Sequence, residues 1–192
     1  LEEVKKCKYI IVCIGTPINK KFKPNLKHFF NFFYNLKKYL NKNQVIIIRS
    51  SIYPGVCNKT FNIIKNRCKN LSYCPERIAQ GKSLIELPKL SQIISGKNDK
   101  SKIESGKIFK KVSKKIIYTS IIEAELIKLF SNAYRYINFS IANQFYLICK
   151  NHGLDFFKIR NLMRDNYKRN MNLPSAGFTA GPCLLKDTMQ LS

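Results

Sequence analysis

Apolar residues recur along this chain with two different spacings. The run KYIIVCIG at 8–15 is continuous, rich in β-branched side chains and closed by Gly15-Thr16-Pro17, so it predicts a buried strand ending in a loop. QVIIIR at 44–49 and LSYC at 71–74 predict two more, the first running into Ser50-Ser51-Ile52-Tyr53-Pro54-Gly55 and the second stopped by Pro75. LSQIISG at 90–96 and KIIYT at 115–119 add two further strands. Between these runs the apolar positions move to steps of three and four. That spacing predicts a helix over 26–40, capped by Asn25, with Phe29, Phe30, Phe33, Leu36 and Leu40 inward. It predicts another over 56–68 with Phe61 and Ile64 inward, and a Lys-rich one from Asn98 or Asp99 to about 112. The longest such stretch is 120–153, where Ile122, Leu126, Leu129, Phe130, Ala133, Ile137, Ile141, Phe145 and Ile148 recur, Ser120 can cap the start and Gly153 the end. A shorter helix over 155–167, with Phe156, Ile159 and Met163 inward, follows, and 168–192 reads as loop.

Strands alternating with helices imply an α/β fold with parallel strands joined by right-handed crossovers. The expected architecture is a partial Rossmann-like parallel sheet over 1–119, then a long central helix opening an all-helical part over 120–192. Ligands of such sheets lie beyond the carboxyl ends of the strands, which here are Gly15-Thr16-Pro17, the 50–55 loop and Pro75-Glu76-Arg77. No G-x-G-x-x-G follows the first strand. Either this is no dinucleotide fold, or the first β-α-β unit lies outside the chain; opening at Leu1 and stopping at Ser192 read as truncation at both ends.

Composition narrows the class. A chain of 192 residues, 45% hydrophobic and 12% aromatic, can bury a core and is not disordered. No apolar run approaches the ~18 residues of a membrane span, and LEEVKKCKYIIV is no signal peptide, so a cytoplasmic protein without a membrane segment is expected. Seven cysteines form no C-x-x-C pair and no zinc-like cluster with His, which fits a reducing compartment and no metal. Cys7, Cys13, Cys57, Cys68, Cys74 and Cys149 read mostly as small buried apolar residues. The net charge of +24 invites nucleic-acid binding. Lys is spread over every segment, however, and Asn, Ile, Tyr and Phe are abundant too, the joint bias of an AT-rich coding sequence. No nucleic-acid-binding motif appears, so that role ranks third among the readings.

Candidate chemistry sits in a few places. Lys128, Asn132 and Arg135 share one strip of the 120–153 helix, either as a solvated stripe or as a cation, an amide and a guanidinium facing a ligand. Cys183 lies in AGPCLLKD, where a glycine turn precedes it and Lys186 and Asp187 follow within a turn. A nearby cation favours thiolate; a structural cysteine is the alternative. His28 and His152 offer no Cys–His pair. Glu76 stands just past a strand end, as a reactive or merely exposed carboxylate, and Thr16 and Ser51 have ordinary turn roles as their alternative.

Taken in order, Gly15-Thr16-Pro17, the 50–55 loop, Pro75-Glu76-Arg77 through Gly81, Glu125-Leu126-x-Lys128-x-x-x-Asn132-x-x-Arg135 and Gly181-x-Cys183-x-x-Lys186-Asp187 resemble the UDP-glucose/GDP-mannose dehydrogenase family over nearly the whole chain. The resemblance implies an NAD-dependent enzyme that oxidises the C6 hydroxyl of a UDP-sugar, UDP-glucose or a UDP-N-acetylhexosamine, to a uronic acid used in polysaccharide precursors. It implies Cys183 as nucleophile, Lys128 and Asn132 as stabilisers of oxygen charge, and Asp187 and Glu76 as carboxylates for base and water, Glu76 for thioester hydrolysis. It places Thr16, Ser51, Gln80 and Lys186 by NAD, and Arg77, Arg135 and Arg169 by the substrate. It also implies a homodimer through the 120–153 helix, whose apolar residues run nearly all round. Departures are Ser51 where Thr is commoner, Tyr167 where N-acetylhexosamine members often carry His, and Ala180 for a usual Gly in a loop one residue longer. Lacking the dinucleotide fingerprint, the chain alone is expected to be inactive. The competing reading is a non-catalytic dimerisation or scaffold fragment of such an enzyme.

Overall fold

The computed structural model describes residues 1–19, 23–78, 81–178, 182–189 and 191, apart from the side chains of Ser83, Pro182 and Cys183. Five strands, β1 (Tyr9–Val12), β2 (Val45–Ile48), β3 (Leu71–Tyr73), β4 (Gln92–Gly96) and β5 (Ile116–Tyr118), form one sheet in chain order. Three pairings are parallel, as the crossovers require; β4 alone runs antiparallel to β3. The short α3 (Ser83–Glu86) lies in the connection that turns the chain over.

The centre of the sheet is buried on both faces, and β2 shows why its sequence carries no polar alternation. Ile46 and Ile48 join Phe29, Phe33 and Leu36 of α1 (Lys27–Leu36) and Ile64 of α2 (Val56–Ile64) on one face. Val45 and Ile47 meet Phe109 of α4 (Asp99–Phe109) on the other. Side chains alternate faces along a strand, so a strand covered twice must be apolar at every position. α1 ends sooner than its apolar pattern, giving way to a 3-10 turn at Lys37–Tyr39. Its first turn is entered from Leu26, with the Asn25 side chain accepting the Lys27 N–H at 3.3 Å.

Helix α5 (Ile121–Asn151) runs 31 residues from a reciprocal cap between Ser120 and Glu123. Its first turns belong to the sheet's core through Ala124. Farther along, Ala142 and Cys149 pack on Phe156 of α6 (Phe156–Arg164). Much of the rest of its apolar surface, including Phe130, Ile137, Ile141, Phe145 and Ile148, is exposed. The 168–192 segment is not all loop: α7 (Pro182–Met189) packs against α5. Pro182 opens it, a position where the missing N–H costs nothing. Among the cysteines, Cys57, Cys68, Cys74 and Cys149 are buried as expected, whereas Cys7 and Cys13 are exposed. Burial pushes the Cys74 thiol up to about 12 and raises Cys57 well above its usual value, the Glu125 charge adding to the latter. No described helix is long and apolar enough to cross a membrane.

Candidate active site

The parallel strands β1, β2 and β3 all end on one side of the sheet, and their loops meet there with α7. Cys13, Ile14, Gly15, Thr16, Arg49, Ser50, Ser51, Glu76 and Lys186 line a cleft of ≈ 320 Å³. Thr16 is buried and donates its hydroxyl to the Ser51 carbonyl, tying the first loop to the second. Lys186 reaches back from α7 and donates to Thr16 Oγ1 at 3.2 Å. A side chain at Gly15 would meet nothing within 4 Å, so the backbone there is open to a ligand.

The 50–55 loop is fixed from below. Gly55 takes φ +89° to turn the chain into α2, a conformation costly for any residue with a Cβ. No side chain of the loop caps that helix. The cap comes from α5: the buried Glu125 carboxylate accepts the N–H of Gly55 at 2.8 Å and of Cys57 at 2.9 Å. An anion at the positive end of a helix is favoured, and here it also locks the central helix to the loop that carries Ser51.

Glu76 is clasped more tightly than its loop position suggests. Its Oε1 accepts the N–H groups of Arg77 at 2.8 Å and Ile78 at 2.9 Å, and its Oε2 pairs with Arg49. Burial pushes its pKa up, but the Arg49 hydrogen bond and charge and the two backbone N–H bonds outweigh that and hold it below the usual carboxylate value. The Arg49 side chain is buried, its guanidinium 4.6 Å from the centre of the Phe109 ring and 3.4 Å from Gln92 Oε1.

Behind the cleft, Asn132 on α5 donates to Asp187 Oδ2 at 2.6 Å, both residues being buried. Asp187 Oδ1 lies 3.2 Å from Lys186 Nζ as an ion pair and accepts no hydrogen bond from the described residues. Lys128 stands one helical turn before Asn132 on the same face, half-buried. Cys183 is four residues before Asp187 on α7, which puts the two on one face of that helix; its side chain lies outside the described residues.

The structure therefore brings together Thr16, Ser51, Glu76 and Lys186 in one cleft, with Asn132 and Asp187 joined behind it. Gln80 lies outside the described residues. Arg77 is turned to the Ser91 carbonyl at 2.6 Å. Arg135 is exposed on α5, and Arg169 sits 5.9 Å from the centre of the exposed Tyr167 ring after α6; Arg77, Arg135, Tyr167 and Arg169 do not line the cleft. Arg49 escaped the sequence reading: it was the charge closing an apolar strand at its ligand-bearing end. Glu125 was read as part of the helix motif, but its capping role was not.

The cleft offers two hydroxyl-bearing loops, an open glycine backbone and the Lys186 cation at the carboxyl ends of parallel strands. Such a set, at the ends of parallel strands, can hydrogen-bond part of a dinucleotide, and ≈ 320 Å³ can hold a piece of one. Sequence comparison points the same way. Residues 1–117 match the NAD binding domain, and residues 122–192 the central domain, of the UDP-glucose/GDP-mannose dehydrogenase family. The UDP-N-acetyl-D-mannosamine dehydrogenase of Methanococcus vannielii is 30% identical over 190 residues, 96% of this chain and 44% of that protein. The UDP-glucose 6-dehydrogenase of Rickettsia bellii is 25% identical over 205 residues, 100% of this chain and 46% of that protein. The solved UDP-D-ManNAc dehydrogenase of Pyrococcus horikoshii superposes with a TM-score of 0.89 at 25% identity, covering 98% of this chain and 47% of that one. The chain thus spans less than half the length of the curated relatives it matches.

Proposed function

Since the chain belongs to the UDP-glucose/GDP-mannose dehydrogenase family, we propose that the complete protein oxidises the C6 hydroxyl of a UDP-N-acetylhexosamine to the carboxylate, reducing two NAD⁺. The observation that carries this reading is the return of the last motif onto the earlier ones: Lys186 bonds Thr16 and the adjacent Asp187 bonds Asn132. Two neighbouring residues thereby join the first strand loop, the central helix and α7 around one space. The N-acetylhexosamine class is favoured over glucose because the relatives of 29–32% identity are named UDP-N-acetyl-D-mannosamine dehydrogenases, and those named UDP-glucose 6-dehydrogenases are 24–25% identical.

NAD, when bound, supplies the two-electron acceptor for each oxidation. The residues do the rest. Asp187, bonded to Asn132 and paired with Lys186, is the carboxylate that helps remove the proton of the substrate hydroxyl. At the aldehyde stage the Cys183 thiolate adds to C6, forming a C–S bond and a negative oxygen that takes up a proton. Lys128 stabilises that oxygen as a cation; Asn132 has one amide N–H committed to Asp187 and a second to offer. The second oxidation leaves a thioester. Water then attacks its carbonyl carbon, Glu76 takes the water's proton, the C–S bond breaks and the thiolate is restored. A thiolate suits both halves, being a strong nucleophile and a good leaving group.

The exposed apolar face of α5 is read as the contact with a second copy. A continuous stripe of Phe130, Ile137, Ile141 and Ile148 on one helix is more apolar surface than a lone subunit leaves in water. The function is tested by a substrate panel on the complete gene product. UDP-N-acetylmannosamine, UDP-N-acetylglucosamine, UDP-glucose and GDP-mannose are each offered with NAD⁺, following NADH absorbance. A UDP-N-acetylhexosamine is expected to turn over fastest with two NADH per acid; no turnover of any of the four refutes the reading.

A further inference from the structure

We propose that Arg49 is the positioning residue for Glu76, fixing the one carboxylate oxygen that can receive a proton from the hydrolytic water. The inference rests on the reading of Glu76 as the base for thioester cleavage. A carboxylate presents about four lone-pair positions. The N–H groups of Arg77 and Ile78 take both positions on Oε1. Arg49 takes one on Oε2 through Nη2, so the position left for water among the described groups belongs to the oxygen that Arg49 holds.

Arg49 is built to stay where it is. It closes β2 at the carboxyl end of the strand, with its side chain only 8% exposed. The Phe109 ring covers one face of the guanidinium at 4.6 Å, and Gln92 Oε1 accepts from Nη1 at 3.4 Å. A guanidinium can bond Gln92 and Glu76 at once through its rigid fork, which a lysine ammonium cannot copy. The other charged or titratable groups at this cleft are Lys186 from α7, itself paired with Asp187, and the Cys13 thiol from the β1 loop. Arg77, on the Glu76 loop, is engaged by the Ser91 carbonyl. Arg49 is therefore the cation that sets both the direction and the ionisation of Glu76. Arg49 and the two backbone N–H groups favour the anionic form of Glu76 against the cost of its burial.

The test uses the complete protein with Arg49→Gln and Arg49→Lys, beside Glu76→Gln. The rate of acyl-enzyme hydrolysis is followed against pH, and the Glu76 carboxyl is titrated by carbon-13 NMR. In Arg49→Gln, burial acts on Glu76 without its counter-cation, so the acid limb and the NMR midpoint should both rise by about one pH unit or more. Arg49→Lys should give a smaller rise. It carries the test alone if the Gln variant does not fold. A purely structural role would lower the rate equally at all pH. Wild-type pH dependence and midpoint in the folded variants, with Glu76→Gln inactive in hydrolysis, overturn this inference alone. Unimpaired acid formation by Glu76→Gln overturns the base assignment and this inference with it.

Discussion

Glu125 gives the most quantitative prediction. Its carboxylate lies buried between the central helix and the first turn of α2, accepting two backbone N–H groups. Glu125→Ala removes both acceptors. The Cys57 N–H is fully buried and the Gly55 N–H partly so, and each unsatisfied buried donor costs ~1–3 kcal/mol. Losing the anion at the positive end of α2 adds ~0.3–1 kcal/mol. The total, ~2–7 kcal/mol, is a large share of the ~5–15 kcal/mol that holds an ordinary domain together. Glu125→Gln keeps one acceptor oxygen and turns an amide nitrogen toward the other N–H, so about half the loss is expected. Urea unfolding of the chain should show the midpoint falling in the order wild type, Gln, Ala. Hydrogen exchange should speed up at the Gly55 and Cys57 amides before it does in β2. An Ala variant within ~0.5 kcal/mol of wild type, with both amides still protected, would refute the claim that this carboxylate pins the 50–55 loop.

Further expectations follow from particular contacts. The Glu104 carboxylate is drawn down to about 2 by Lys107, Lys8 and the Tyr9 hydroxyl, so its link from α4 to β1 should persist at pH 4 and fail only as pH falls through about 2; carbon-13 titration checks this, and Lys107→Gln should raise the midpoint. Ile137→Glu with Ile141→Glu should turn a dimer of the complete protein into monomers in analytical ultracentrifugation, since covering each of these half-exposed side chains contributes about 1 kcal/mol and two buried, unpaired carboxylates would oppose the contact. Lys186→Met, which removes the bond to Thr16, should raise the KM for NAD⁺ by roughly tenfold, the equivalent of ~1.4 kcal/mol; an unchanged KM would show that the lysine plays no part in the cleft.

The strands and most helices were legible because burial on two faces and on one face leave different periods in a sequence. β2 is the plain case, apolar at all four positions because helices cover both sides. α7 was not legible. The 168–192 segment was read as loop with a glycine turn before Cys183, although proline at a first helical position is itself a start signal. The turn of β4 against β3 has no local mark either, since strand direction is set by the connection and not by the strand's own residues. At the site, the family resemblance implied Thr16, Ser51, Gln80 and Lys186 by NAD and Glu76 among the reacting carboxylates; Thr16, Ser51, Glu76 and Lys186 share one cleft, while the groups that hold them did not stand out. Arg49 acts on Glu76 27 residues away and Glu125 on Gly55 70 residues away, distances at which a single sequence carries no pairing signal.

The central claim is that a thiol on α7 carries the sugar's C6 carbon as a thioester that Glu76 helps water to cleave. Mass spectrometry of the complete Glu76→Gln protein, quenched after mixing with UDP-N-acetylmannosamine and NAD⁺, tests it most directly. The account predicts an acyl adduct confined to the peptide bearing Cys183 and absent from the Cys183→Ala double variant. Free uronic acid at the wild-type rate, with no adduct on that peptide, would contradict it.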